Sequence, residues 1–305
     1  MRIKSAQMSR LARTMVLTGI VLLLATVTMA RRASFLMSGF GSANPETRQN
    51  PETMMPEASA TKAKQILAQM LDAMGGAVYL HVHQSECTGR KSEFGHNSAL
   101  TSYLEFKEYW QFPDNYRIDF GKKGNIIDLY RGKEGWTVDH DGVNEEPAGK
   151  VDEFQAKLLN DPTHLFRYRL TEEGMVYRYG GTDLIDLRPV DWVELSDREE
   201  RTYRIAVQRD NHLMVRFTVI IKDPDTQQRI EEVTSFANYH MLGGVATPLQ
   251  VARTREGRRV LQAFYDSCNY DPNLPSNFFT RGGLEQRFQE VGSRADKKKA
   301  AKARD

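Results

Sequence analysis

The sequence predicts a mainly β protein, α+β in class, whose body is a long antiparallel meander with short helices laid on one face. Three observations predict it. Five segments, 203–208, 213–222, 230–239, 248–254 and 259–270, follow one another with only short polar turns between them. Within 213–221, Leu213, Val215, Phe217, Val219 and Ile221 alternate with Met214, Arg216, Thr218 and Ile220, the period of a strand with one dry face. The pattern switches once, near residue 151, to a helical period and then returns. A sheet of this size leaves an apolar face that something must cover.

The elements follow in chain order. Arg2, Lys4, Arg10 and Arg13 precede an uncharged stretch, 15–30, which is the layout of a targeting segment. Residues 1–30 read either as a cleaved signal peptide, with Thr28-Met29-Ala30 as the small-residue site, or as an uncleaved single-span anchor, which Arg31-Arg32 directly afterwards favours. Both place the folded part outside the cytoplasm, in the periplasm or an equivalent compartment. It is then either soluble or tethered to the inner membrane through 15–30, since the positive end stays inside. No Cys follows the apolar run, so the chain is not read as an acylated lipoprotein. Residues 31–59, with Pro45, Pro51 and Pro56 among Ser, Asn, Thr and Glu, are a flexible tether.

A helix starts near Ser59 or Ala60, because Ile66, Leu67, Met70, Leu71 and Met74 recur at helical spacing and Gly75-Gly76 stops them. Residues 77–88 are the first expected strand, with Val78, Leu80 and Val82 opposite Tyr79, His81, His83 and Ser85. In 100–112, Leu104, Phe106 and Trp110 oppose Tyr103, Glu105, Lys107 and Tyr109. Shorter strands at 116–120, 126–131 and 135–140 are separated by Pro113-Asp114-Asn115, Gly121, Gly124, Gly132 and Asp141-Gly142, the turn chemistry of consecutive hairpins.

Val151, Phe154, Leu158 and Leu159 then set a helix over 151–160, and a second helical piece, 163–170, follows Asp161-Pro162 and carries Leu165 and Phe166. Their stripes need a surface, and the dry concave face of the sheet is the one available. Strands resume near 175–180 and 191–195, Thr247-Pro248 opens a strand at its first residue, and the core closes at Asn277-Phe278-Phe279. Residues 60–280 thus form one domain, and 281–305, basic through Lys297, Lys298, Lys299, Lys302 and Arg304, is a disordered tail.

Composition excludes several classes. The net charge of +2, from 42 basic and 40 acidic residues, gathers in the tail and leaves no basic stripe for a nucleic acid. The chain carries no nucleophile elbow, phosphate loop or dinucleotide fingerprint, so no enzymatic activity and no cofactor are expected. His81 and His83 share a strand face without a third ligand, and His96 and His140 belong to no motif. No metal site is expected, and Asp139-His140-Asp141-Gly142 reads as a turn. Cys87 and Cys268 either pair, which requires their α-carbons within about 6 Å, or remain two thiols.

Several segments taken in order resemble a known family. A helix ending in Gly-Gly and a strand are followed by EYWQFPDNYRIDF, GKEGWTVDHDG, a helical interruption, VQRDNHLMVRF, FANYHMLGGVATPLQV and DSCNYDPNLPSNFF. This series is similar to the periplasmic lipoprotein-carrier superfamily, which includes the outer-membrane lipoprotein-sorting proteins and uncharacterised bacterial relatives. The resemblance spans roughly residues 60–279. It implies a strongly curved antiparallel sheet forming an unclosed half-barrel, with short helices plugging the concave apolar face over a cavity that accepts acyl chains for transport. In the sorting carriers a basic residue before the Pro of this turn helps hold a lid closed; Phe112 stands there in this chain.

The residues expected to line the cavity are Leu104, Phe106, Trp110, Phe120, Trp136, Phe154, Leu158, Phe166, Phe217 and Phe264. Each also reads as plain core on its own; together they offer an acyl chain about 0.8 kcal/mol per buried methylene. The expected function is binding and transport of a lipid or lipoprotein acyl chain. The alternative is an envelope sensor or assembly factor that binds a protein partner with the same fold, and a third is a hydrolase with an unrecognised site.

Overall fold

The computed structural model describes residues 51–222 and 228–290. The targeting segment, the tether up to residue 50 and the basic residues beyond 290 lie outside the described residues. The strands of the first half are β1 (Gln84–Phe94), β2 (Leu100–Gln111), β3 (Asn115–Phe120), β4 (Ile126–Arg131), β5 (Glu134–Val138) and β6 (Val143–Glu145). Those of the second are β7 (Val176–Ile185), β8 (Arg188–Ser196), β9 (Thr202–Gln208), β10 (Met214–Lys222), β11 (Arg229–Leu242), β12 (Val245–Arg255) and β13 (Arg258–Asn269).

All thirteen pair antiparallel in one sheet, ordered β6-β5-β4-β3-β2-β1-β13-β12-β11-β10-β9-β8-β7. Consecutive hairpins generate nearly all of this order; the single non-local join is β1 on β13, which stitches the two halves of the chain together. β6 and β7 are left as edges that do not meet, so the sheet is an unclosed half-barrel. At the join Cys87 lies opposite Cys268 and the two form a disulfide with α-carbons 4.1 Å apart.

Helices α1 (Pro56–Ala73), α2 (Ala77–Leu80), α3 (Ala148–Leu159) and α4 (Pro162–His164), followed by a π-helical turn (Leu165–Arg169), lie on one face. Proline at the first position of α1 starts it without losing a hydrogen bond, and Ala63, Ile66, Leu67 and Met70 form its buried stripe. That stripe joins Leu165 and Phe166 of the π-helical turn over Tyr179, Val193, Leu195, Tyr203, Ile205 and Phe217 of β7–β10. Gly75 ends α1 at φ +124°, where a Cβ would sit 2.4 Å from the Gly244 carbonyl oxygen, so only glycine lets the helix end meet the β11–β12 turn.

The structure corrects several sequence expectations. Residues 77–80 are helical, because the chain restarts a turn after the Gly75-Gly76 break; His81 caps that turn through Nδ1 and the Ala77 carbonyl, 2.7 Å, and does not share a strand face with His83. A bulge between Met214 and Arg216 reverses the alternation, so Met214 joins Phe217 in the core while Val215 packs on the other face against Ile185, Val190, Trp192 and Ala206. Pro248 sits inside β12 rather than opening it, opposite Tyr239 beside the irregularity at Asn238, φ +56°. Residues 281–290, expected to belong to the tail, are helical, and Leu284 is fully buried with Phe279 against Ile127, Leu129 and Trp136.

Candidate functional site

The helix-covered face is not covered evenly. Among the described residues, the closest backbone approaches between helices and sheet are α1 on β7 and β8, α3 on β5, and the 3-10 turn Pro51–Thr53 on β7. The α3–α4 corner spans the middle strands between these supports. Beneath it, Phe106, Ile118 and Ala263 form a small buried cluster, and Tyr116, Phe120, Leu261 and Tyr265 around them stay partly exposed. Leu249 and Val251 of β12 and Phe236 of β11 continue this half-exposed apolar floor. We term this half-buried apolar strip of the concave face the trough.

Aromatic stacking builds one wall. Phe154 of α3 stacks on Tyr130 at 4.5 Å between ring centroids, on Tyr116 at 6.0 Å and on Trp110 at 6.4 Å, and Trp110 stacks in turn on Phe112 at 5.4 Å. The other end of the cover is fastened by Arg167, which donates to the Val82 carbonyl at 3.1 Å and lies over the rings of Phe112, 4.3 Å, and Tyr79, 4.7 Å. A cation therefore meets the position of Phe112 from the cover's side.

The cover's middle is fastened by a buried polar cluster. Arg169 donates to the Leu159 carbonyl at 2.8 Å, to the Tyr203 hydroxyl at 2.7 Å and to Asp197 at 3.0 Å. Burial opposes ionisation of Asp197, yet hydrogen bonds from Arg201 and Arg169 outweigh it and hold the carboxyl below the usual carboxylate range. This cluster borders a polar hollow of about 300 Å³, and a second of about 360 Å³ lies near Gly89, Arg90 and Glu105. Charged side chains line much of both, so neither suits an apolar ligand; the trough does.

One acid interrupts the dry face of β2. Glu108 lies between Phe106 and Trp110, opposite Cys87, and the Tyr116 hydroxyl approaches its Oε2 at 3.5 Å. The residue is half-buried on the concave face. Burial pushes the acid up to about 7, against opposing hydrogen bonds from Tyr265 and Tyr116 and the charge of Lys91. Asp161, at the corner above, is raised by burial as well, against the amide of His164 and the charge of Arg253.

The sequence-selected residues divide between the two faces. Leu104, Phe106, Trp110 and Phe120 lie on the trough face of β2 and β3. Phe154 and Leu158 are buried on α3, and Phe166 meets Phe217 edge to face at 6.1 Å. Trp136 and Phe264 do not join them. Trp136 alternates to the opposite face with Leu129 and Ile127, under Phe279 and Leu284, and Phe264 pairs with Arg90 there and is 42% exposed. Glu108, Tyr116, Tyr265 and Arg253 were not selected; the signal available was a lone Glu at an inward position of β2. At the β5–β6 turn, Asp139, His140 and Asp141 bring ligand atoms within 4.8 Å of one another, a grouping common at exposed acidic turns without an ion.

No family model and no curated protein matches the sequence. Solved structures do. A DUF1329 family protein from Desulfovibrio piger superposes with a TM-score of 0.53 at 14% identity, over 74% of this chain and 99% of that one. The fold is shared with that protein. The chain is also similar to a LolA superfamily protein from Nitrosomonas europaea, with TM-score 0.47, 12% identity and coverage of 73% and 99%. An outer-membrane lipoprotein-sorting protein domain from Vibrio parahaemolyticus matches with TM-score 0.49, 10% identity and coverage of 76% and 100%. Among the described residues, no helix is long and apolar enough to cross a membrane.

Proposed function

We propose that this protein binds and carries an acyl chain, of a lipid or a lipoprotein, outside the cytoplasm and without catalysing a reaction. The observation that carries the reading is the trough: strands β3 and β11–β13 present partly exposed Tyr116, Phe120, Phe236, Leu249, Val251 and Leu261 on the concave face. An acyl chain laid there completes the burial, at about 0.8 kcal/mol per methylene. The sequence resemblance to periplasmic carriers supports the same reading. The Cys87–Cys268 disulfide supports an oxidising compartment, in keeping with export directed by residues 1–30.

Protein purified from the cell envelope and extracted with organic solvent should release a stoichiometric acyl lipid by mass spectrometry. If it is consistently empty and does not take up an uncharged fluorescent acyl probe, the reading fails.

A protein partner is the second reading, and one feature favours it. The β7–β8 hairpin ends in Leu184 and Leu187, the latter 93% exposed and held at φ +63°, an uncommon conformation for a bulky residue. Cross-linking in envelope extracts should recover one dominant protein through this tip if that reading holds, including from variants with a disrupted trough.

A further inference from the structure

The polar groups inside the trough bear on which acyl ligands fit it. Those around Glu108 come from each surrounding element: Lys91 of β1, engaged by Glu93 at 2.8 Å; Tyr116 of β3; Tyr265 of β13; Arg253 of β12; and Asp161 of the corner, with His164 beside it. Arg253 has Thr234 as a weak hydrogen-bond partner at 3.4 Å and faces Asp161. Arg253 thus offsets Asp161, while the cation that acts on Glu108, Lys91, is already engaged by Glu93. A second anion placed beside the ionised Glu108 would be repelled by it, in a setting where water screens poorly. A hydroxyl or amide meets no such penalty, since it can donate to a carboxylate and accept from a tyrosine hydroxyl or the guanidinium, and an uncharged ester can accept from the latter two.

We infer that the trough seats the uncharged polar head of an acyl ligand beside Glu108, Tyr116 and Tyr265, and discriminates against free fatty-acid anions. This rests on the acyl-chain reading above. Two sources carry the required chemistry: a glycerolipid, through ester and hydroxyl groups, and an acylated peptide, through an amide. The acid's elevated ionisation range adds a pH dependence. Burial favours the protonated form of Glu108, so the carboxyl gains its charge as pH rises through about 7 and the discrimination sharpens above that point. Burial lowers His164 from its ordinary range, so it does not gain charge as pH rises.

The test uses full-length protein and three ligands of equal chain length, each below its aggregation concentration: 1-decanoylglycerol, N-decanoylglycinamide and decanoate. Each displaces a fluorescent acyl probe between pH 6 and 8.5. Decanoate stays ionised throughout, so a change in its affinity reports on the protein. The expected result is that decanoate weakens about tenfold across this range, the effect of one like charge within about 10 Å at an effective dielectric near 20. Both neutral ligands should hold their affinity, and the tighter of the two identifies the source. Glu108→Gln, checked for folding by circular dichroism, should flatten the decanoate profile, while Asp161→Asn, which keeps an oxygen to cap α4, should leave the inflection near 7 in place. Decanoate binding as tightly as the neutral ligands at pH 8.5, or a profile unchanged by Glu108→Gln, overturns the inference and leaves acyl binding standing. Failure of the protein to bind the acyl probe or any of the three ligands overturns both.

Discussion

The two parts of the helix-covered face are built from the same kind of strand and end in different states. Under α1, α2 and the π-helical turn, Leu165, Tyr203 and Ile205 have no exposed surface at all. Under the α3–α4 corner, residues of the same type, Phe120, Leu249, Val251 and Leu261, keep part of theirs. The difference lies in the cover: α1 lies directly on β7 and β8, whereas α3 makes its closest backbone approach to the sheet at β5. Alternation decides which face of a sheet is dry, and the length and attachment of the connecting helices decide whether protein or ligand keeps it dry.

The comparison can be broken first at the packed end. Phe217→Ala should cost about 3–5 kcal/mol in urea unfolding, because Tyr203 and Phe166 close on it and leave a cavity. Arg169→Met should cost about 1.5–3 kcal/mol, because Asp197 loses one of its two guanidinium partners and keeps Arg201. The folded-state ionisation of Asp197 lies below its unfolded one, so its contribution is present above the ordinary carboxylate range and is lost as pH falls through the folded value. The variant should lose that part of the wild type's acid sensitivity. Replacing Cys87 and Cys268 by serine should lower stability by about 2–5 kcal/mol in thermal unfolding, since the bridge closes a span of 181 residues.

The trough should respond more weakly in stability and more strongly in binding. Glu108 ionises at about 7 when folded and at its ordinary 4.5 when unfolded, so wild-type stability should fall as pH rises from 4.5 through 7 and then level off. The drop should be about 1–3 kcal/mol, and Glu108→Gln should abolish it in denaturant titrations at pH 5 and 8. Val251→Ala should cost at most about 1 kcal/mol, given its partial burial, and still weaken acyl-probe binding. If Val251→Ala and Phe217→Ala destabilise equally, the trough is ordinary core.

Much of the sheet was legible in the sequence because hairpin turns and alternation are local. The segments 126–131 and 230–239 fall on strands β4 and β11, and Val151, Phe154 and Leu158 mark the buried stripe of α3. The rest depends on partners distant in sequence. The bulge between Met214 and Arg216 reverses which residues face inward, and Gly89, where a Cβ would lie 2.3 Å from the Phe264 carbonyl oxygen, fits only against β13. The face taken by Trp136 follows from a C-terminal helix that composition merged with a polar tail. Glu108 was visible as the one acid at an inward position of β2, but Tyr265, its partner from the far end of the chain, comes near only through the β1–β13 join.

The central claim, that the trough seats an acyl chain, is tested most directly by a fatty-acyl probe carrying a diazirine near the chain's end. After irradiation, the cross-linked peptides are mapped by mass spectrometry. The account predicts saturable labelling on β2, β3, β12 and β13, around Phe120, Val251 and Leu261, that an unlabelled acyl ligand competes away. Labelling that does not saturate, or that gathers on the opposite face around Tyr103 and Phe264, would contradict it.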